Sequence, residues 1–230
     1  PAGDELLAGL AAEGIDVAGV ARANAASGSA LITVSDAGEN AITVLPGANR
    51  EVPLPTEGTL RGARCLLLQM EIPLASNRGW ARAARAAGVP VMLNAAPAGA
   101  EAASLLPLAD LLLVNEGELA RLAAPLGAPA GAAEAALGPA TVVTTLGERG
   151  CRVWHRGREV AVPGCAVDVV DSTGAGDTFA GVLAAALAAG KALIPAVTEA
   201  NQAAALSCRR PGARGGMPTR GELDAALARA

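Results

Sequence analysis

The chain has 230 residues, with 18 lysines and arginines against 22 aspartates and glutamates, a net charge of −4 and a pI near 5.1. That balance leaves no electrostatic footprint for nucleic acid or an anionic membrane, and the length suits one α/β domain with a large core, or a domain and a small appendage. The hydrophobic fraction of 52% is largely alanine, and Trp80, Trp154 and Phe179 are the only aromatic residues, so leucine, valine, isoleucine and alanine must fill the core. No apolar run reaches membrane-spanning length and no signal peptide is read at the start, which makes a cytosolic protein the expectation. Cys65, Cys151, Cys165 and Cys208 are dispersed without a Cys-x-x-Cys spacing and His155 stands alone, so buried thiols are expected in place of zinc or disulfides. The chain opens on Pro1 without an initiator methionine, and an absent upstream part is expected.

Asp4 to Glu13 reads as a first helix, with Asp4 as its cap and Leu6, Leu7 and Leu10 on one side, and Gly14-Ile15-Asp16 ends it. Ser27 to Leu45 alternates on both sides of the polar loop 36–40, the pattern of a β-hairpin, which would serve equally as an edge of the main sheet. From Cys65 onward, short apolar runs alternate with helices, as βαβ units on a parallel sheet do. Strands are expected at Cys65–Met70, Val89–Leu93, Asp110–Val114 and Pro139–Thr145, with a helix at Arg78–Ala87. A turn at Gly147–Gly150 then leads to the strand pair Arg152–His155 and Glu159–Val162.

Ligands of such sheets collect at the carboxyl ends of the strands. The polar residues just beyond those ends are Glu71, Asn94, Asn115 and Glu118. Asn115 and Glu118 also fit a plain helix cap followed by a first-turn acid. Thr145, Gly147 and Gly150, in TLGERG, form either a turn before a hairpin or a loop whose amides meet phosphates.

Val167 to Lys191 is read as strand, glycine turn and helix: Val167, Val169 and Val170 surround Asp168, then Ser172, Thr173, Gly174 and Gly176 precede a helix from about Gly176 to Gly190. Two glycines at a helix start let backbone amides approach an anion, and the helix dipole favours negative charge there. Asp177, in the same first turn, is the candidate general base, its ionised form favoured by those amides; the bland alternative is a helix-start acid. A dinucleotide fingerprint fails because Phe179 stands where its third glycine belongs, and Gly190-Lys191 is followed by Ala192 at a helix end, so no Walker loop exists. Thr198 to Arg209 reads as a further helix carrying Asn201, Arg210 to Pro218 as a loop and Gly221 to Ala230 as a closing helix.

The segment VDSTGAGDTFAG, Val170 to Gly181, resembles the C-terminal signature of the ribokinase (PfkB-type) family of sugar kinases. PGAN at 46–49, QMEIP at 69–73, LNAAPA at 93–98, the Asn115-x-x-Glu118 pair and TLGERG resemble further family motifs in the same order. The resemblance implies an α/β fold with a doubly wound, mainly parallel sheet, residues 1–26 and 46–230 as nucleotide-binding core and 27–45 as a hairpin of a small β-lid. It implies Asp177 as base, the amides of Gly174, Ala175 and Gly176 as anion hole, and Glu71 as a sugar contact. Nucleotide contacts are implied at Asn115, Thr145, Gly147, Gly150, Gly176 and Asn201, with Asn115 and Glu118 holding the waters of a magnesium ion that accompanies ATP. Asp171 and Thr173, with Ser207, Arg210, Gly212 and Gly216, are implied as a monovalent cation site, usually potassium. The implied reaction phosphorylates D-ribose to D-ribose 5-phosphate, in a homodimer formed through the lid.

The family's N-terminal part, with a sugar-binding aspartate and a Gly-Gly-x-x-x-N segment, has no counterpart here, so weak or absent sugar phosphorylation is expected of the chain if it is complete as given. The same letters leave room for a kinase of fructose, a nucleoside or a deoxy-sugar acid, and for a non-catalytic nucleotide-binding module.

Overall fold

The computed structural model describes residues 2–34, 40–128 and 132–229. Helix α1 (Ala2–Ala12) buries none of its residues and leaves Leu6 half exposed. Strands β1 (Ser29–Val34) and β2 (Asn40–Leu45) pair antiparallel, Ser29 opposite Leu45 and Val34 opposite Asn40, as a two-stranded sheet separate from the main one. The loop expected at 36–40 falls, Asn40 apart, outside the described residues.

The main sheet begins with β3 (Leu66–Gln69), followed by α2 (Leu74–Ala86), β4 (Val91–Asn94), β5 (Leu111–Asn115), α3 (Glu116–Ala123) and the short α4 (Ala133–Ala136). Strands β6 (Thr141–Thr145), β7 (Cys151–His155) and β8 (Arg158–Val162) complete it, and α5 (Ala175–Ala188), α6 (Leu193–Ser207), α7 (Ala213–Gly216) and α8 (Arg220–Leu227) follow. The spatial order is β3-β4-β5-β6-β7-β8, parallel as far as β6 and antiparallel beyond it.

Parallel strands covered on both faces need continuous apolar runs, and β5 shows why. Leu112 and Val114 point to one core with Leu105, Leu119 and Leu122, while Leu111 and Leu113 point to the other with Phe179, Leu183, Val197 and Ala200. Helices therefore cover both faces, which is the doubly wound, mainly parallel arrangement expected.

Three local expectations are corrected. Val167 to Val170 is not a strand: Val169 and Val170 are about two-thirds exposed, and the amides of Val170 and Asp171 both donate to the Cys208 carbonyl instead of to a ladder. β-branched letters there describe an extended surface segment laid against the end of α6. Helix α2 starts at Leu74, directly after Pro73, and α6 at Leu193, several residues before the expected starts, and neither has a side-chain cap to announce it. The tight turn joining β7 to β8 holds both Arg156 (φ 48°) and Gly157 (φ 82°) in the left-handed region, as a two-residue hairpin of matching twist requires.

Candidate active site

A cleft of about 990 Å³ opens at the carboxyl ends of β5 and β6. One wall is Asn115, Glu116 and the Thr145–Gly150 loop; the other is Gly164 to Val169, the start of α5 and the Asn201 side of α6. Of the residues expected to act, Asn115, Thr145, Gly147, Gly150, Ala175, Gly176 and Asn201 line this one space. Asp177, Gly174, Glu118, Glu71 and the cation residues lie around it.

Helix α5 begins because Gly174 turns the chain with φ 78°, and a Cβ there would sit 2.9 Å from Ala213 Cα, so only glycine fits. The Ala175 amide donates to Ser172 O at 3.2 Å, Thr178 N to Gly174 O at 2.9 Å. The Gly176 and Asp177 amides belong to the same first turn, where no preceding helical carbonyl exists to receive them. Desolvation first, and then the negative charge of Glu71, raise the Asp177 carboxyl above its ordinary value. This reverses the sequence expectation that the helix amides would hold Asp177 below its usual value. Glu71, in the turn after β3, lies close enough to Asp177 for its charge to act on it.

Asn115 and Glu118 form a reciprocal cap of α3: Asn115 Oδ1 accepts from Glu118 N and Glu118 Oε2 from Asn115 N, each at 2.8 Å. The helix-cap reading is thus present, and it leaves Asn115 Nδ2 and Glu118 Oε1 outside the cap. Glu118 is buried, behind Asn115. Asn201, nearly buried, donates to Pro163 O at 2.9 Å, so it ties the segment after β8 to α6 while lining the cleft. Asn94 ends β4, buried, opposite Gln69.

Behind the start of α5 lies a second cluster. Asp171 Oδ1 accepts from Thr173 N at 2.9 Å and Oδ2 from Gly212 N at 2.7 Å. The Thr173 side chain, then the Gly212 and Thr173 amides, pull the Asp171 carboxyl down to about 2. Ser207 O and Arg210 O converge on Gly216: a Cβ there would lie 2.4 Å from the first and 3.5 Å from the second. The Arg210 guanidinium is turned away to Glu222 at 2.5 Å, leaving its backbone on this side, and Gly212 O accepts from Gly216 N at 2.9 Å. A carboxylate kept ionised beside converging carbonyls is an oxygen set suited to a hard cation.

Sequence reasoning missed the ion pair of Arg149 with Glu116, which closes one rim of the cleft, and the apolar floor of Phe179, Ala204 and Ala205. It missed Gln69, whose Oε1 accepts from Glu71 N at 2.6 Å. Of these, Arg149 lay inside TLGERG, Gln69 inside QMEIP and Phe179 inside VDSTGAGDTFAG; Glu116, Ala204 and Ala205 carry no local signal.

A cleft at the strand ends beside a glycine-started helix and a carboxylate is the arrangement an α/β phosphotransferase requires. The family model described as pfkB family carbohydrate kinase matches residues 1–220, and the chain belongs to that family. It is 35% identical over 224 residues to ribokinase of Haemophilus influenzae, covering 93% of this chain and 73% of that protein, and 37% identical over 206 residues to ribokinase of Bacillus subtilis, covering 87% and 69%. Among solved structures, ribokinase from Thermotoga maritima superposes with a TM-score of 0.88 at 33% identity over 98% of this chain and 77% of the other. Arabidopsis thaliana ribokinase complexed with ribose and ATP superposes with a TM-score of 0.79 at 33% identity, over 89% and 70%.

Proposed function

We propose that this chain is an ATP-dependent kinase of D-ribose, with Asp177 as its general base. The observation that carries the reading is the position of Asp177: in the first turn of the helix whose start lines the cleft, and within the field of Glu71. The ribokinase relatives and the ribose and ATP complex supply the substrate class.

The sugar's primary hydroxyl gives its proton to the Asp177 carboxylate as its oxygen bonds to the γ-phosphorus and the bond to the β-phosphate oxygen breaks, releasing ADP. The amides of Gly174, Ala175 and Gly176 donate to the transferring phosphoryl oxygens, Ala175 exchanging its bond to Ser172. Glu71 orients the sugar, and the Thr145–Gly150 loop and Asn201 frame the nucleotide. Among the described residues no three histidine, cysteine, aspartate or glutamate side chains gather at one point. A magnesium ion would take its oxygens from phosphate and water, with Asn115 Oδ1, through its second lone pair, and Glu118 Oε1 accepting from those waters; when bound it neutralises phosphate charge. A potassium ion fits the Asp171, Ser207 and Arg210 oxygens, where it would steady the loops behind the anion hole. The β1–β2 hairpin leaves Leu31 and Leu45 more than half exposed on one face and Val44 on the other, apolar surface that supports pairing of two copies through the lid.

The test is ADP release by the purified chain with ATP, magnesium and potassium, comparing ribose with fructose, adenosine and no sugar, and with Asp177→Ala alongside. Weak ribose-dependent release that disappears in the variant is expected. ATP binding without turnover on any sugar would sink the kinase reading and favour a nucleotide-binding module; preference for another acceptor would replace ribose.

A further inference from the structure

Helix α2 buries an amide where an aliphatic side chain would pack at lower cost. Asn77, in its first turn, is fully buried, and its Oδ1 has no hydrogen-bond partner among the described residues. A buried carbonyl left unpaired is destabilising, so the residue calls for an explanation in the one bond its side chain does make. Asn77 Nδ2 donates to the backbone carbonyl of Gln69 at 2.8 Å, and the side chain of that same Gln69 accepts from Glu71 N at 2.6 Å. Asn77, Gln69 and Glu71 thus form one chain of bonds from the helix interior to the backbone amide of Glu71.

Resting on the proposed role of Glu71 as a sugar contact, we infer that Asn77 is a positioning residue: it clamps the end of β3 so that Gln69 fixes the Glu71 turn in its sugar-facing geometry. The same helix turn is held from its other side. Ser76 Oγ donates to Val52 O at 2.6 Å and Trp80 Nε1 to Pro53 O at 2.9 Å, which seats the strap leading out of the β1–β2 hairpin on α2. The start of α2 therefore joins the hairpin's return arm to the Glu71 turn, and Asn77 is the bond on the Glu71 side of that joint.

The test measures D-ribose affinity and affinity for a non-hydrolysable ATP analogue by calorimetry in the parent chain, Asn77→Ala, Glu71→Gln and the double variant. Asn77→Ala is expected to weaken ribose binding about tenfold, the loss of one hydrogen bond's worth of positioning, and to leave the nucleotide affinity unchanged. In the Glu71→Gln background, already weakened for ribose, the same substitution should add less than about twofold. Gln69→Met, at a partly exposed position, removes the other bond of the relay and should reproduce the selective loss should Asn77→Ala not fold. Equal losses in both backgrounds, a parallel loss of nucleotide affinity, or ribose binding unchanged in the folded variants would overturn the positioning role alone. Ribose binding unaffected by Glu71→Gln, or absent from the parent chain, would overturn the Glu71 reading and this inference with it.

Discussion

Gly174 and Gly176 stand two residues apart in one motif; the fold demands glycine at the first, and only the proposed chemistry does at the second. Gly174 has φ 78°, and an added Cβ would meet Ala213 Cα and Cβ at 2.9 Å and Ala213 O at 3.2 Å. The left-handed conformation costs an alanine about 1–2 kcal/mol, and pushing the backbone of α7 aside adds roughly 1–3 kcal/mol. Gly174→Ala should therefore lose about 3 kcal/mol, which for a chain of this size lowers Tm by roughly 6–12 °C. The displaced neighbour adjoins Gly212, whose amide bonds Asp171, so the cation loop loosens with it. Gly176 has no positive φ and no atom within 4 Å of an added Cβ, so Gly176→Ala should be neutral or stabilising by up to about 1 kcal/mol. Its methyl would nevertheless enter the cleft wall where the phosphoryl group is to meet the amides, and turnover should fall about a hundredfold. Thermal and urea unfolding with ADP-release kinetics on both variants separates the two effects. Similar Tm shifts in the pair, or full turnover in Gly176→Ala, would refute the reasoning.

Asp177 has a folded-state pKa raised above its unfolded value, so its charge opposes folding at neutral pH, and that penalty fades as pH falls through the folded pKa to the ordinary 3.8 and below. Asp177→Asn should accordingly melt higher than the parent at pH 7 and together with it near pH 3.5, while losing phosphoryl transfer; a variant less stable at pH 7 would contradict the raised value. Arg156 occupies the left-handed region in the β7–β8 turn, and its amide bonds Ala140 O through the backbone alone. Arg156→Asn should gain about 1 kcal/mol and raise Tm by roughly 2–4 °C in a calorimetric scan; an unchanged or lower Tm would mean that the arginine side chain contributes there.

What the letters revealed was set by how local each cause is. Strands β4 and β5 were legible because burial on both faces demands an unbroken apolar run, and β6 because the β-branched run TVVTT favours extended backbone. Val167 to Val170 misled because β-branching reports a preference for extended backbone and not the presence of a ladder neighbour; Cys208 O took the amides. The starts of α2 and α6 were hidden since Pro73 and Ala192 offer no capping side chain. Glycine turn and carboxylate announced the anion end of the cleft within one short motif, whereas the raised pKa of Asp177 depends on Glu71, far away in the chain. Asn77 was invisible for the same reason: nothing about an asparagine in a helix names the strand end it holds.

The Trp80 indole, fixed on Pro53 O, has a further consequence. With only two tryptophans and no tyrosine in the chain, emission from Trp80 is separable from that of Trp154 on β7 by a single replacement, Trp154→Phe. The remaining indole sits on the joint between hairpin and helix, so its fluorescence would follow movement of the strap in real time and without any attached dye, while the sheet stays spectroscopically silent.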